Sequence, residues 1–235
     1  MTRRFLNSIL GAGFFLIGAT ALAQEPAPAA APAPGRGAIE IGLRLGVGFP
    51  LGHEGATAGT TDDKLSSDLK AIIPIAIDAG YRINPNVYVG ILFQYGFGIV
   101  ATDNNPTCSS GSGVSCSGSD LRLGVDLHFH FAPGQSFDPW LGVGAGYEWL
   151  SLDATAGGVD AGATATGFEY GNVQLGGDVA VAPNFAIGPF VSLSFGEFGD
   201  VSFNQGGSSM DMTITSKSFH EWLEFGVRGV YDIGL

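Results

Sequence analysis

Lysine is nearly missing from this 235-residue chain: only Lys64, Lys70 and Lys217 are present, and Asp, Glu, Lys and Arg together make up 14% of it. A water-soluble domain usually carries about a quarter charged residues, so much of this surface is not built to face water. Basic clusters are missing too. With 10 Lys and Arg against 22 Asp and Glu, the formal charge is −12, and nothing is left to neutralise phosphates. That excludes a nucleic-acid partner. After Ala38 no apolar run approaches the ~20 residues of a membrane-spanning helix. Disorder is excluded by 45% hydrophobic residues. The 38 glycines are about twice the usual share but follow no three-residue period, so collagen is excluded as well.

The amino-terminal segment reads as an address. Arg3 and Arg4 precede an apolar run that ends in Ala21-Leu22-Ala23, the small-residue pattern of a cleaved export signal. No spacer residue follows the arginine pair as in a twin-arginine signal, so residues 1–23 are expected to be a Sec signal peptide. Residues 24–37 form a Pro/Ala-rich stretch that cannot build a core and is expected to be a periplasmic spacer.

From Ala38 onward apolar residues recur at every second position, the period of strands. Eight are predicted: Ala38–Phe49, Lys70–Ile83, Val87–Ile99, Leu121–Phe131, Trp140–Leu152, Phe168–Val181, Phe185–Glu197 and Phe219–Leu235. Their links alternate in length. Asn84–Asn86, Ala132–Pro139 and Ala182–Asn184 are short, whereas Pro50–Leu69, Val100–Asp120, Asp153–Gly167 and Phe198–Ser218 are long. Within strands the faces separate: Ile73, Ile75, Ile77 and Tyr81 alternate with Ala76, Asp78, Gly80 and Arg82. A soluble barrel would alternate likewise, with its apolar face inside. The second face, however, is Gly-rich with sparse charges, which suits a narrow interior better than a wetted exterior. The apolar face is therefore turned toward lipid. Aromatic girdles are expected at the long-loop rim (Phe49, Phe97, Tyr147, Trp149, Phe195) and at the short-turn rim (Tyr81, Phe131, Phe185, Tyr231).

On these features residues 38–235 resemble the small eight-stranded outer-membrane β-barrels, the group that includes the OmpA transmembrane domain, OmpX and OmpW. The last strand, with Phe225, Val227, Gly229, Tyr231, Ile233 and Leu235, looks like the group's carboxy-terminal assembly signal, although Leu235 stands where an aromatic residue is usual. The resemblance implies an all-β, up-and-down antiparallel transmembrane barrel in the outer membrane, with short periplasmic turns and long extracellular loops. It also implies outer-membrane lipid, lipopolysaccharide and the barrel-assembly machinery as partners, and a monomer.

The interior is expected to hold a charge network of Glu40, Arg44, Asp78, Arg82, Arg122, Asp126, Glu148, Asp178, Glu224, Arg228 and Asp232. Isolated buried ions are costly, so pairing across strands is the simplest expectation, with Arg44 and Arg228 each reaching Glu40, Glu224 or Asp78. The competing reading is a narrow, cation-preferring path. His128 and His130 share one face, but two imidazoles are fewer than a metal site needs, so no metal and no cofactor is expected. No Ser/His/acid arrangement is apparent: His128-Phe129-His130 replaces the deacylases' His-x-Ser, and His53 and His220 lack partners in the sequence. Gly142, Gly144 and Gly146 alternate within a strand and do not make a phosphate loop. Cys108 and Cys116 enclose seven residues and are expected to staple the second long loop. Loop acids such as Asp62, Asp63, Asp103, Asp160 and Asp211 are read as solvated. Together these point to a structural or surface-interaction barrel with a largely plugged lumen, and to no enzyme.

Overall fold

The computed structural model describes residues 37–102, 108–109 and 111–234. The expected signal peptide, the spacer apart from Gly37, Asp103 and Leu235 lie outside the described residues.

Among the described residues nine strands follow one another: β1 (Ala38–Gly52), β2 (Leu69–Asn84), β3 (Val87–Val100), β4 (Val114–His130), β5 (Phe137–Ala156), β6 (Val159–Ala182), β7 (Phe185–Gln205), β8 (Ser208–Thr213) and β9 (Phe219–Ile233). One 3-10 turn, Leu65–Ser67, interrupts the first long link. Among the described residues no helix is long and apolar enough to cross a membrane, which says nothing against crossing by strands. Sequential strands pair antiparallel, and β9 joins β7 to β1, so β1 to β7 and β9 close into a ring of eight. Both ring termini lie at the short-turn end, where Ile39 stands opposite Ile233 and Tyr81.

The faces sort as period two demands. On β1, Ile39, Ile41, Leu43 and Leu45 point outward and are exposed, while Glu40 and Arg44 are buried inside. The same inversion of a water-soluble barrel runs around the ring, with Ile73, Phe93, Val125, Val143, Leu175, Leu193 and Phe225 all exposed. Burial of apolar area is worth about 25 cal/mol per Å², so an outer face of this composition belongs against lipid rather than water. Phe49, Tyr81, Phe97, Phe131, Phe185, Phe195 and Tyr231 are among these exposed side chains. Tyr147 and Trp149 are half-buried, because they stack edge-on against each other at 4.7 Å and Tyr147 also meets Phe168 at 5.0 Å.

The long-loop end departs from the sequence expectation. Residues 153–167 are not an irregular loop: β5 and β6 remain paired to the very tip, where Gly157 and Gly158 close the hairpin with both φ values positive. That is the backbone of a two-residue primed turn, which glycine adopts without strain. Gly206 and Gly207 close β7–β8 in the same way, so the fourth long link supplies a ninth strand outside the ring. β4 likewise starts at Val114 rather than Leu121, pairing Val114 with Ala156. Ser, Thr and Ala in these extensions give no apolar alternation, yet their backbones continue the ladder. At the other end β4 stops at His130, leaving Phe131 just outside it, and β5 begins at Phe137.

Candidate functional site

The chemistry-bearing residues converge on the lumen. Among the described residues eight buried carboxylates and four buried guanidiniums project there, together with His128, His130 and His220. They form two layers beneath an apolar lid.

The short-turn layer is built on Arg228, which lies in β9 and is fully buried. Its Nη2 donates to Glu40 Oε1 at 2.5 Å and Asp78 Oδ1 at 3.1 Å, and its Nη1 to Asp178 Oδ2 at 3.0 Å. Arg82 donates to Glu40 Oε2 at 2.6 Å and lies 3.8 Å from Asp232. Arg44 donates to Asp78 at 3.0 Å and to Gln174 at 2.6 Å, and lies 3.6 Å from Asp126. Trp140 lies under both Arg228, at 5.2 Å, and Arg44, at 5.9 Å. His128 is sandwiched between Tyr88 and Trp140, at 4.8 and 4.9 Å. His130 Nδ1 lies 2.9 Å from Asp138 Oδ2. Glu40, His128 and His130 each offer one ligand atom within 4.8 Å of the other two, the one such group of three among the described residues.

The second layer surrounds Arg122, with Asp120 at 2.9 Å, Glu224 at 3.2 Å, Glu169 at 3.7 Å and Glu148 at 3.8 Å. Glu148 also accepts from Trp222 Nε1 at 3.0 Å and meets His220 Nε2 at 2.9 Å. Gln94 donates to Glu224 at 2.9 Å. Between the layers lies a void of about 20 Å³, bordered by Arg44, Gln94, Arg122, Asn172 and Ser194. It is room for about one water and too small for a hydrated ion.

Above Arg122 the lumen turns apolar. Leu65 from the 3-10 turn folds inward to meet Leu69, Ile72, Leu150, Phe198, Ile214 and Trp222, all buried. A recess of about 550 Å³ opens above this lid and shares Val100 and Leu152 with it. The disulfide Cys108–Cys116 borders that recess. The first long link is pinned beside it, where Gly55 N–H donates to Asp62 Oδ1 and Ser218 Oγ to Asp62 Oδ2, holding the Asp62 carboxyl below its ordinary range. Glu54 is half-buried next to Asp68, Asp63 and Asp62, with its Oε1 shielded from solvent, and desolvation with these like charges pushes its carboxyl up to about 9.

The expected residues thus lie in the lumen, and of the three carboxylates offered to Arg44 and Arg228, Asp78 and Glu40 are the ones taken. Glu224 meets neither Arg44 nor Arg228; it sits four residues toward the long-loop end from Arg228 on the same strand and pairs with Arg122 instead. Asp120, Glu169, His220 and the lid were not expected from the sequence. Asp120 ends the expected Val100–Asp120 link, although counting back by two from Arg122 places it on the inner face. Glu169 is hidden by a bulge between Glu169 and Gly171, which shifts the inward parity from odd to even residues. His220 shares its parity with Trp222 and Glu224, a signal that was available.

No protein-family model matches the chain, and no curated protein matches it in sequence. Solved structures do. The outer membrane protein OprG from Pseudomonas aeruginosa superposes with a TM-score of 0.56 at 12% identity, covering 87% of this chain and 99% of that one. The outer membrane protein AlkL, in lipid bilayers, superposes at 0.50 with 18% identity, covering 90% and 97%. At such identities the likeness concerns fold alone. A closed eight-stranded antiparallel ring, an apolar outer belt, a charged interior and these two superpositions together give this chain the fold of the small outer-membrane β-barrels.

Proposed function

We propose that the protein is an outer-membrane barrel with a closed lumen, serving the envelope structurally and through its surface rather than as a conduit. The observation that carries this reading is the apolar lid of Leu65, Leu69, Ile72, Leu150, Phe198, Ile214 and Trp222, stacked over an ion-paired interior whose central void is about 20 Å³. An open aqueous path needs polar walls along its length, whereas the lid holds no charge. The parts offered to partners are the β5–β6 and β7–β8 hairpins, with exposed Val159, Phe203 and Met210 near their tips. Lipid and lipopolysaccharide would surround the apolar belt, with insertion by the barrel-assembly machinery as a monomer. The reading assigns no catalytic step.

One observation favours a second reading, a narrow cation-preferring channel: buried carboxylates outnumber buried guanidiniums by eight to four. Single-channel recording across a planar bilayer in asymmetric salt separates the two. A folded barrel that stays silent, and conducts only after Phe198→Ala and Trp222→Ala thin the lid, supports closure. Discrete cation-selective steps in the unaltered chain would establish the channel instead.

A further inference from the structure

We propose that Glu40, His128 and His130 form a binding site for one borderline-soft divalent metal ion of the zinc type, reached from the short-turn end of the barrel. Two imidazoles and one carboxylate, with a fourth position left for water, are a donor set that suits such an ion. The three come from β1 and β4, which are not neighbours in the ring, yet each brings a ligand atom within 4.8 Å of the other two.

A second observation points to a ligand independently of that spacing. Both histidines are fully buried, and His128 Nδ1 and His130 Nε2 have no hydrogen-bond partner among the described residues. Other buried lumen atoms are also left without a partner, but among the described residues these two belong to the one group of three with ligand spacing. The opposite nitrogens are already attended. His130 Nδ1 faces Asp138 Oδ2 at 2.9 Å, and a carboxylate that takes the Nδ1 proton leaves a lone pair on Nε2, as in carboxylate–histidine–metal arrangements. His128 Nε2 lies 3.4 Å from Arg44 Nη2 and 3.9 Å from Asp126 Oδ2, so an ion on Nδ1 requires the ring proton to sit on Nε2, toward Asp126, in place of the contact with Arg44; the ring is held flat between Tyr88 and Trp140.

Local charge accommodates a dication. Arg44, Arg82 and Arg228 pair with Glu40, Asp78, Asp126, Asp178 and Asp232, and Asp138 faces His130, an excess of three negative charges before the ion is added. Glu40 gives one oxygen to Arg82 and the other to Arg228. A carboxylate offers about four lone-pair directions, so it can take an ion without giving up either arginine. A cleft of about 60 Å³ opens at the short-turn end, and two of the residues that line it touch the site, Asp138 at His130 and Arg82 at Glu40.

The test uses the full chain, untagged with histidine, exported and extracted as the folded barrel, stripped with a chelator and titrated with Zn²⁺ against a chromophoric competitor. One ion per barrel is expected. His128→Ala and His130→Ala should each weaken it by roughly tenfold or more, and Asp138→Asn by roughly ten- to a hundredfold. His53→Ala, in the first long link, should leave it unchanged. Glu40 also holds two arginines, so the histidine variants carry the test, each checked for the heat-modifiable gel migration of a folded barrel. The absence of stoichiometric Zn²⁺ would overturn the proposal and leave an ordered water at the orphaned nitrogens. Binding that survives both histidine substitutions would overturn it equally, placing the ion on loop carboxylates.

Discussion

Replacing Arg228 by alanine deletes a guanidinium that reaches three carboxylates at once, and the three do not lose equally. Glu40 keeps Arg82 at 2.6 Å and Asp78 keeps Arg44 at 3.0 Å. Asp178 keeps no arginine, since its ion pair is with Arg228 at 3.0 Å, and its Oδ1 is already without a partner. The main cost is therefore one orphaned buried carboxylate, for which removal of a partner amounts to about 3–5 kcal/mol. Asp178 also lines the short-turn cleft, where water can reach it, so the lower end of about 3 kcal/mol is expected. With a urea slope of about 2 kcal/mol/M the unfolding midpoint in lipid vesicles should fall by about 1.5 M. Tryptophan fluorescence suits this measurement, because Trp140 lies under the deleted group.

A double-mutant cycle locates the effect. Asp178→Asn in the Arg228→Ala background removes the orphaned charge and should restore a large part of the loss, although alone it is destabilising. A midpoint shift below about 0.5 M in Arg228→Ala, or no coupling between the two sites, would refute the argument that this layer is held by ion pairing.

Glu54→Gln should alter the first long link in a pH-dependent way. The Glu54 carboxyl is raised from an ordinary value near 4.5 to about 9, so stability at this point is fully present below 4.5 and is lost as pH rises toward 9. Tryptic cleavage at Lys64 should be faster in the unaltered chain than in the variant, and the ratio of the two rates should grow from pH 5.5 to pH 8.5; an equal ratio at both values would contradict the desolvation of Glu54. At Gly42 a Cβ would overlap the Asp78 carboxylate, so Gly42→Ala should cost about 1–3 kcal/mol, whereas Gly199→Ala, whose Cβ would meet only Thr166 O at 3.9 Å, should stay within about 0.5 kcal/mol. Urea titration of the two variants side by side decides this. Leu65→Ala should loosen the lid by about 2–5 kcal/mol locally, seen as faster amide exchange in residues 65–72 without a change in the barrel's migration.

The ring was legible in the sequence because lipid and lumen impose opposite demands on alternate residues, and β1 to β3 and β4 from Leu121 onward satisfy them. Ile73, Ile75 and Ile77 against Asp78 and Arg82 leave one choice of face. The alternation fades in residues 114–119 and 153–164, where Ser, Thr, Gly and Ala take the place of the apolar residues. Those strands persist through backbone pairing, which leaves no hydropathy signal; their signal was Gly157-Gly158 and Gly206-Gly207, each a two-residue hairpin turn between β-forming stretches. The bulge at Gly171 is illegible for a related reason. A shift of one residue exchanges the faces, and only the buried outcome shows that Glu169 and Asn172 both point inward.

The lid explains why the interior can be so charged. Ion pairs in water are nearly worthless, while the same pairs in a water-poor interior are strong enough to repay part of their desolvation, provided each charge is paired and hydrogen-bonded. Leu65, Phe198 and Trp222 are therefore not simply filler above the second layer. Phe198 stacks on His220 at 4.0 Å, Trp222 donates to Glu148 and lies 5.0 Å from Arg122, so the apolar residues that close the mouth also fix the groups that hold Arg122. Closure and ion pairing are consequently coupled. If Phe198→Ala and Trp222→Ala admit water, Arg122 should lose stabilising value at the same time, and Arg122→Ala should cost less in that background than in the unaltered barrel. Additive losses would mean that lid and charges stand independently, and the closed lumen would then be an accident of packing rather than the condition for its charge.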